Sequence, residues 1–450
     1  MVPHDAIAEP GRTVPVVGRS DLVVVGGGPA GIAAAVAGAR NGLSVTLVER
    51  YPYLGGLASG GMVLVLDDMC NGDEISVRGL CGEMIDRMER IGLCVVPPES
   101  ERRSDPDLWR KWSRWGVFDF NSHQKPQPIC YAAAFDPDGF KRVANAMVGE
   151  AKVTLRLHSW FSRAIVEDGR IKGVVCETKS GRQAIMGEIV IDASGDLDVA
   201  AAAGAPFTHG SYIVTTVFRL GAVDVERAEE FEYGEPAAFR AVDREAKKIM
   251  AGSWDKWWLK TPLPGVVWCN CPHMVGFDGV KVEDLTRADF EGRERIAALV
   301  GFVREKMPGF EKAYVVDVAP QIGVRQTRLL DGVYVVTKDD IALRRHFPDS
   351  VARGRDYYYP YRAMLPRGVG QLLVAGRHYS ATSSAQRNSR EIPPCMAMGE
   401  AAGVAAALAI EANAPVETVH IVKLQAKLRA EGADPGDRPS ANALLNIAAE

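Results

Sequence analysis

The clearest chemistry in this chain lies in the run Gly26-Gly27-Gly28-Pro29-Ala30-Gly31 and in Glu49, 18 residues beyond it. Gly26 permits a tight strand-to-helix turn, Gly28 lets backbone amides approach a pyrophosphate, and Gly31 lets the helix close on the strand. The helix that follows starts with N–H groups that have no intrahelical acceptor and with the positive end of its dipole, and both suit a phosphate. A carboxylate at Glu49 can accept from both hydroxyls of an adenosine ribose and would repel a 2′-phosphate, which disfavours an NADP-type ligand. Glycine-rich turns also occur for structural reasons alone, so the flanking elements carry weight. The apolar, β-branched run 22–25 predicts a strand covered on both faces. The small residues of 32–40 predict a helix, stopped by Asn41-Gly42. The run 44–48 predicts a second strand, which delivers Glu49 at its end. A strand–turn–helix–strand unit closed by an acid is a dinucleotide-binding unit.

Composition narrows the class further. The 450 residues are 47% apolar and 24% charged, with a net charge of −4 and no charge block. These values fit a globular protein and imply neither a nucleic-acid nor an anionic-membrane partner. The eight cysteines are scattered, with Cys269 and Cys271 the only close pair. No CxxC occurs, so neither a disulfide framework nor a metal site is expected. Residues 1–20 contain acids and three prolines but no apolar core, unlike a signal peptide. The apolar stretches 23–39 and 392–410 are broken by glycines and prolines, and the second contains Glu400. Neither reads as a membrane span. The expected protein is soluble, reduced and cytoplasmic.

Further motifs recur along the chain: Leu54-Gly55-Gly56, Phe135-Asp136-Pro137 before a helix, Asp192-Ala193-Ser194-Gly195-Asp196 after an apolar strand, and Gly323 to Arg328 reading GVRQTR. Near the end, a strand runs into Ala375-Gly376-Arg377. A helix then opens at Ile392-Pro393-Pro394 and carries Gly399 and Gly403 on one face. Together these motifs resemble the FAD-binding segments of the glutathione-reductase-like flavoprotein superfamily. Within it they resemble the FAD-dependent oxidoreductase family related to the fumarate-reductase and heterodisulfide-reductase flavoproteins. The resemblance covers 21–61, 135–206 and 372–409.

That resemblance implies an α/β protein: a discontinuous Rossmann-type FAD-binding domain with an inserted α+β cap. It implies FAD as cofactor. Gly26, Gly28, Pro29, Ala30 and Gly31 would form the phosphate turn, with Glu49 and Arg50 holding the AMP half. Gly55, Gly56 and Leu57 would follow the second strand. The backbone near Phe161 would face the adenine, and Ala193, Ser194 and Gly195 would pass the pyrophosphate. Gly376 and Arg377 would meet the ribityl chain or a phosphate; many superfamily members carry Asp where Arg377 stands. The helix start at Ile392 would aim its N–H groups at the flavin N1–C2=O edge, where reduced flavin is anionic. The chain has no second glycine fingerprint and no CxxC beside the flavin, so electrons are expected to pass directly to or from a small substrate. Cys269 and Cys271 read either as a redox pair or as two buried thiols.

Chemistry at a flavin needs a proton carrier and a means of holding the substrate. His378, one residue past the AGR turn, is the first catalytic candidate; the alternative is a structural histidine bonded to a backbone carbonyl. Tyr379 is a second. Arg325, with Arg328, would fix an anionic substrate or the flavin, or else make an interdomain salt bridge. Arg387 and Arg390 are candidates to bind a carboxylate or neutralise reduced flavin. Tyr357, Tyr358 and Tyr359 read as core packing or as a substrate-facing aromatic wall. Trp109, Trp112 and Trp115, and Trp254, Trp257 and Trp258, read as packing, as a lid, or as a subunit interface, which leaves a homo-oligomer open.

The expected FAD-binding domain comprises 18–66, 131–206 and 365–412. Residues 67–130 and 207–364 form cap insertions, and 413–450 a C-terminal helix and tail. The expected activity is hydride transfer between a small organic substrate and the flavin N5. The rivals are a flavin monooxygenase, a non-redox FAD-containing isomerase or lyase, and a non-catalytic nucleotide-binding protein.

Overall fold

The computed structural model describes residues 9, 11–72, 74–254 and 256–440. The end of the expected tail, 441–450, and residues 1–8 and 10 of the segment read for a signal sequence lie outside the described residues. At the centre is a seven-stranded sheet. Its parallel part runs Thr154–Arg156, Val45–Val48, Val16–Val25, Gly181–Asp192 and Leu372–Val374. The first half of Gly181–Asp192 also pairs antiparallel with Arg170–Thr178, which pairs with Trp160–Glu167.

The central strand is apolar throughout because it is covered on both faces. Leu22 and Val24 join the core beneath the helices, while Val23 and Val25 join a second core under the antiparallel strands. The helix predicted over 32–40 forms as Pro29–Arg40, with Gly28 as its N-cap and Asn41 as its C-cap. It starts earlier than the small-residue pattern suggested because proline is pre-set for the first helical turn. Against it packs Ile392–Glu411, whose Gly399 and Gly403 lie on the carbonyl oxygens of Ala30 and Ala34 with no room for a Cβ. This last helix is long and apolar enough to cross a bilayer, but its apolar window is 89% buried inside the protein. It is a core helix.

A second, antiparallel sheet runs Trp258–Lys260, Val267–Cys269, Phe218–Gly221 and Tyr314–Val318. Helices Val225–Gly234, Pro236–Ile249 and Val282–Lys306 accompany it, with a core that includes Phe218, Trp257, Trp258 and Phe310. In Val282–Lys306 the acids Glu283 and Asp284 stand in the first turn, where they favour the helix dipole.

The packing departs from the expected insertions in two places. Val336, Val351, Tyr357, Tyr359 and Tyr361 belong to the main core, so the segment around the second sheet closes near 330, not 364. Helix Leu80–Arg90 buries Leu80, Met84, Ile85 and Met88 in that same main core. Only the later part of 67–130, including Trp112, Val117 and Phe118, packs towards the second sheet, on Val217, Leu259 and Trp268.

Candidate active site

The glycine turn is built by backbone lying on backbone. Gly26 has φ +107°, and a Cβ there would overlap the Ala193 carbonyl; a Cβ on Gly31 would overlap the Gly26 carbonyl. No side chain caps the helix that starts at Pro29. Its first amides therefore face a cleft of about 1090 Å³, lined by Gly26, Gly28, Pro29 and Ala30 on one side and by Ala193, Ser194 and Gly195 on the other. Glu49 lies at one end of the cleft, buried, accepting from the Gly27 amide (2.6 Å) and the Tyr51 amide (2.8 Å). Burial pushes its carboxyl up, against the pull of these amides and of Arg50. Arg50, Trp160 and Phe161 complete that end. At the other end lie Gly376, Arg377, His378 and the start of Ile392–Glu411, whose N-cap Glu391 makes no side-chain capping bond.

One carboxylate ties the cleft together. Asp196 accepts from Arg377 (2.8 Å) and from Thr327 (2.8 Å), and it stands 3.7 Å from Arg50. Burial would raise its pKa, but the charges of Arg377 and Arg50 and the Thr327 bond hold it below the usual carboxylate range.

A second chamber, about 2200 Å³, joins this cleft. Leu57, Val63, Arg390 and Glu391 line both. The chamber lies between the main body and the second sheet, with Val65 and Phe118 on one side and Val217, Leu259 and Trp268 on the other. Asp67, Asp68, Trp254 and Arg325 also face it. The Tyr357 hydroxyl donates to Asp68 at 2.9 Å. Burial, with Glu391 and Asp68 as like-charged neighbours, pushes Asp67 well up, only partly offset by Arg390. Burial also raises Asp68, against the Arg355 charge.

The model of the family described as "FAD dependent oxidoreductase" matches residues 21–358 and 354–428. The chain belongs to that family.

Solved structures similar to this FAD-dependent oxidoreductase include three flavoprotein-related chains. A geranylgeranyl bacteriochlorophyll reductase-like protein from Thermoplasma acidophilum is 16% identical, with a TM-score of 0.50 over 92% of this chain and 84% of that one. A flavin-dependent brominase is 12% identical, with a TM-score of 0.48 over 92% and 83%. A p-nitrophenol 4-monooxygenase from Pseudomonas putida DLL-E4 is 13% identical, with a TM-score of 0.43 over 93% and 81%. The cofactor of the oxidoreductase is FAD, and the cleft has features that suit it. Its middle has an uncapped helix start and closely approaching backbone, as a pyrophosphate requires. In the cleft wall, Arg377 Nε and His378 Nδ1 are buried without a protein partner among the described residues. Glu49 stands at the end where a ribose would lie.

The oxidoreductase distributes its sequence-predicted site residues unevenly. Gly26, Gly28, Pro29, Ala30, Glu49, Arg50, Gly56, Leu57, Phe161, Ala193, Ser194, Gly195, Gly376, Arg377 and Ile392 all line the cleft. Gly31 and Gly55 sit behind its wall; a Cβ on Gly55, at φ +110°, would overlap Ser59 Oγ. Arg377, which replaces the more usual acid, is paired with Asp196.

The catalytic candidates need correction. His378 is fully buried, with Nε2 3.1 Å from the carbonyl oxygen of Asp192, so it forms part of the wall. Tyr379 is buried and turned away from both cavities, with its hydroxyl 2.6 Å from Ser389 Oγ. Arg325 lines the chamber and not the cofactor cleft. Arg328 pairs with Asp198.

Of the two readings of the tyrosine triplet, core packing holds: Tyr357, Tyr358 and Tyr359 are all buried. Phe118, Phe120, Trp254, Trp268 and Tyr212 supply the aromatic lining. Trp109, Trp112 and Trp115 pack between the two lobes, and Trp257 and Trp258 pack in the second core. Cys269 and Cys271 are free and buried, with both thiols pushed up by burial, which suits ordinary core thiols. Among the described residues no metal-binding group of side chains occurs.

Sequence reading missed Asp67, Asp68 and Asp196 in their present roles. Asp196 stood in a recognised motif. Asp67 and Asp68 follow an apolar run whose destination only the tertiary fold defines.

Proposed function

We propose that this oxidoreductase moves a hydride between a small organic substrate in the chamber and the flavin of FAD in the cleft. The observation that carries this reading is the junction of the two cavities at Leu57, Val63, Arg390 and Glu391. When bound, FAD supplies hydride exchange at N5. Glu49 would hold the adenosine ribose, and the uncapped starts of Pro29–Arg40 and Ile392–Glu411 would face the pyrophosphate and the ring. Leu57 and Val63 form an apolar edge that keeps water from the junction. Asp67 would hold the proton that leaves or joins the substrate at its carboxyl, whose hold on a proton is strengthened by burial. The second sheet acts as the cap over the substrate. The motif set supports placing the family in the glutathione-reductase-like superfamily.

The test is anaerobic mixing of the FAD-loaded protein with a panel of alcohols, amines and acids, followed by flavin absorbance. Saturable bleaching by a member of the panel is expected. Bleaching by a nicotinamide nucleotide alone, with coupled oxygen uptake, would replace this reading with the monooxygenase one.

A further inference from the structure

Arg325 occupies an unusual position for a cation. It is 9% exposed and faces the chamber. Its Nη2 reaches Asn270 Oδ1 at 3.1 Å and His273 Nε2 at 3.3 Å. Among the described residues no carboxylate lies in ion-pair range of it, and Nε and Nη1 find no acceptor. His273 cannot neutralise it: burial and the Arg325 charge lower that imidazole to about 3, so it is a neutral acceptor.

Four other cations line the chamber, of which Lys338 is exposed. Lys256 bonds Glu232 at 2.9 Å, and Arg390 stands 3.5 Å from Glu391. Arg387 is exposed where Arg325 is buried, but it too lacks a carboxylate. It donates to the Ser211 carbonyl and lies over the Tyr212 ring, with no carboxylate partner among the described residues. The acids of the chamber are engaged elsewhere, Asp68 by Tyr357 and Glu391 by Arg390. Burying a guanidinium without an anion is costly. Here burial and the nearby Arg390 charge lower the Arg325 pKa to about 10, a local excess of positive charge that an arriving anion would relieve. The Trp254 ring, 5.6 Å from the Arg325 guanidinium carbon, adds a flat apolar surface beside it.

We propose that Arg325 and Arg387 seat the carboxylate of the substrate, and that the substrate is an aromatic carboxylic acid whose ring lies along Trp254 and Tyr212. A monoanion fits better than a phosphate, because Asp68 and Glu391 share the chamber and would repel a dianion. This inference rests on reading the chamber as the substrate site.

The probe is benzoate, compared with benzamide and inorganic phosphate, titrated into the FAD-loaded protein by calorimetry and by the visible flavin spectrum. Benzoate should bind saturably and perturb the spectrum, with benzamide at least about tenfold weaker. Arg325→Gln should weaken benzoate about thirtyfold or more, with Arg325→Lys in between and benzamide unaffected. FAD content of each variant checks that it is folded. Should Arg325→Gln lose its flavin, the contrast between benzoate and benzamide in the unmodified protein decides alone. Equal binding of benzoate and benzamide, no binding of either, or a preference for phosphate would overturn the proposal. The two readings fail separately. A benzoate seat in a protein whose flavin no donor bleaches defeats the hydride-transfer reading alone. Rapid bleaching by uncharged donors, unchanged in Arg325→Gln, defeats the carboxylate seat alone.

Discussion

His378 Nε2 lies 3.1 Å from the Asp192 carbonyl oxygen and 3.3 Å from its carboxylate, so the residue after the AGR turn is fastened to the end of the strand beside it. Asp192 in turn receives the Ser194 amide and hydroxyl and the amides of Val199 and Ala200. Burial alone would push its carboxyl up, but the His378 bond and these donors hold it below the usual range. The pair therefore shapes the turn that lines the cleft.

His378→Asn should accordingly lower FAD retention and thermal stability while leaving the pH profile of flavin reduction in place. A bond to an ionised group contributes about 1.5–3 kcal/mol, enough for a tenfold or greater loss in affinity. FAD occupancy after gel filtration and single-turnover rates across pH measure the two effects. Full occupancy with a missing pH limb would return His378 to proton transfer.

Glu49→Ala should weaken FAD by at least about tenfold, since it removes charge-assisted bonds to a ribose diol. It also strips the Gly27 and Tyr51 amides of their acceptor, so the turn itself should loosen. Dialysis against buffer and measurement of the remaining flavin would show this, and equal retention would remove Glu49 from the ribose site.

Asp67→Asn should slow the chemical step by roughly 10²–10⁴-fold, the usual loss for one acid–base group. The sign of the pH dependence follows from its raised pKa. In the direction that oxidises the substrate, the ionised form accepts the proton, so the rate should rise with pH through that pKa. In the reverse direction it should fall. The variant should be flat in both, with FAD content unchanged.

Glu400 offers a test of stability. It is 2% exposed, accepts from the Leu80 amide at 3.0 Å, and is raised to about 7, chiefly by burial. A carboxyl raised in the folded state favours folding below its unfolded pKa, and that contribution is lost as pH rises through about 7. At pH 8 the ionised group should cost on the order of 3 kcal/mol, from the gap between about 7 and the ordinary 4.5. Glu400→Gln should therefore raise the melting temperature at pH 8 and change it little at pH 5. The same shift at both values would show that Glu400 does not titrate in this range.

The cofactor cleft was legible because its requirements are local. Gly26, Gly28 and Gly31 are dictated by one turn, Glu49 by the end of one strand, and Ile392 by two prolines that open a helix. The chamber was not legible in the same way. Arg325 was singled out for its motif, but its partners Asn270 and His273 lie 55 and 52 residues away in sequence. Asp67 and Asp68 are ordinary acids until Tyr357 and Glu391 are folded against them. Tyr379 was misread because adjacency to a motif says nothing about which way a buried side chain turns. For the tyrosine triplet only the tertiary fold decides between wall and core, and it buries all three rings.

Gly399 and Gly403, resting on the carbonyls of Ala30 and Ala34, join the beginning of the chain to its end. Each helix brings one terminus to the cleft, and neither can seat without the other. During synthesis the glycine turn leaves the ribosome early, but the helix that braces it emerges only after residue 411. Until then the nascent protein has a phosphate loop without its support, and the cofactor must wait for the segment through Glu411. A fragment ending before Ile392 should thus be colourless however well its first strands form, and a circular permutant joining the two helices should acquire its flavin early.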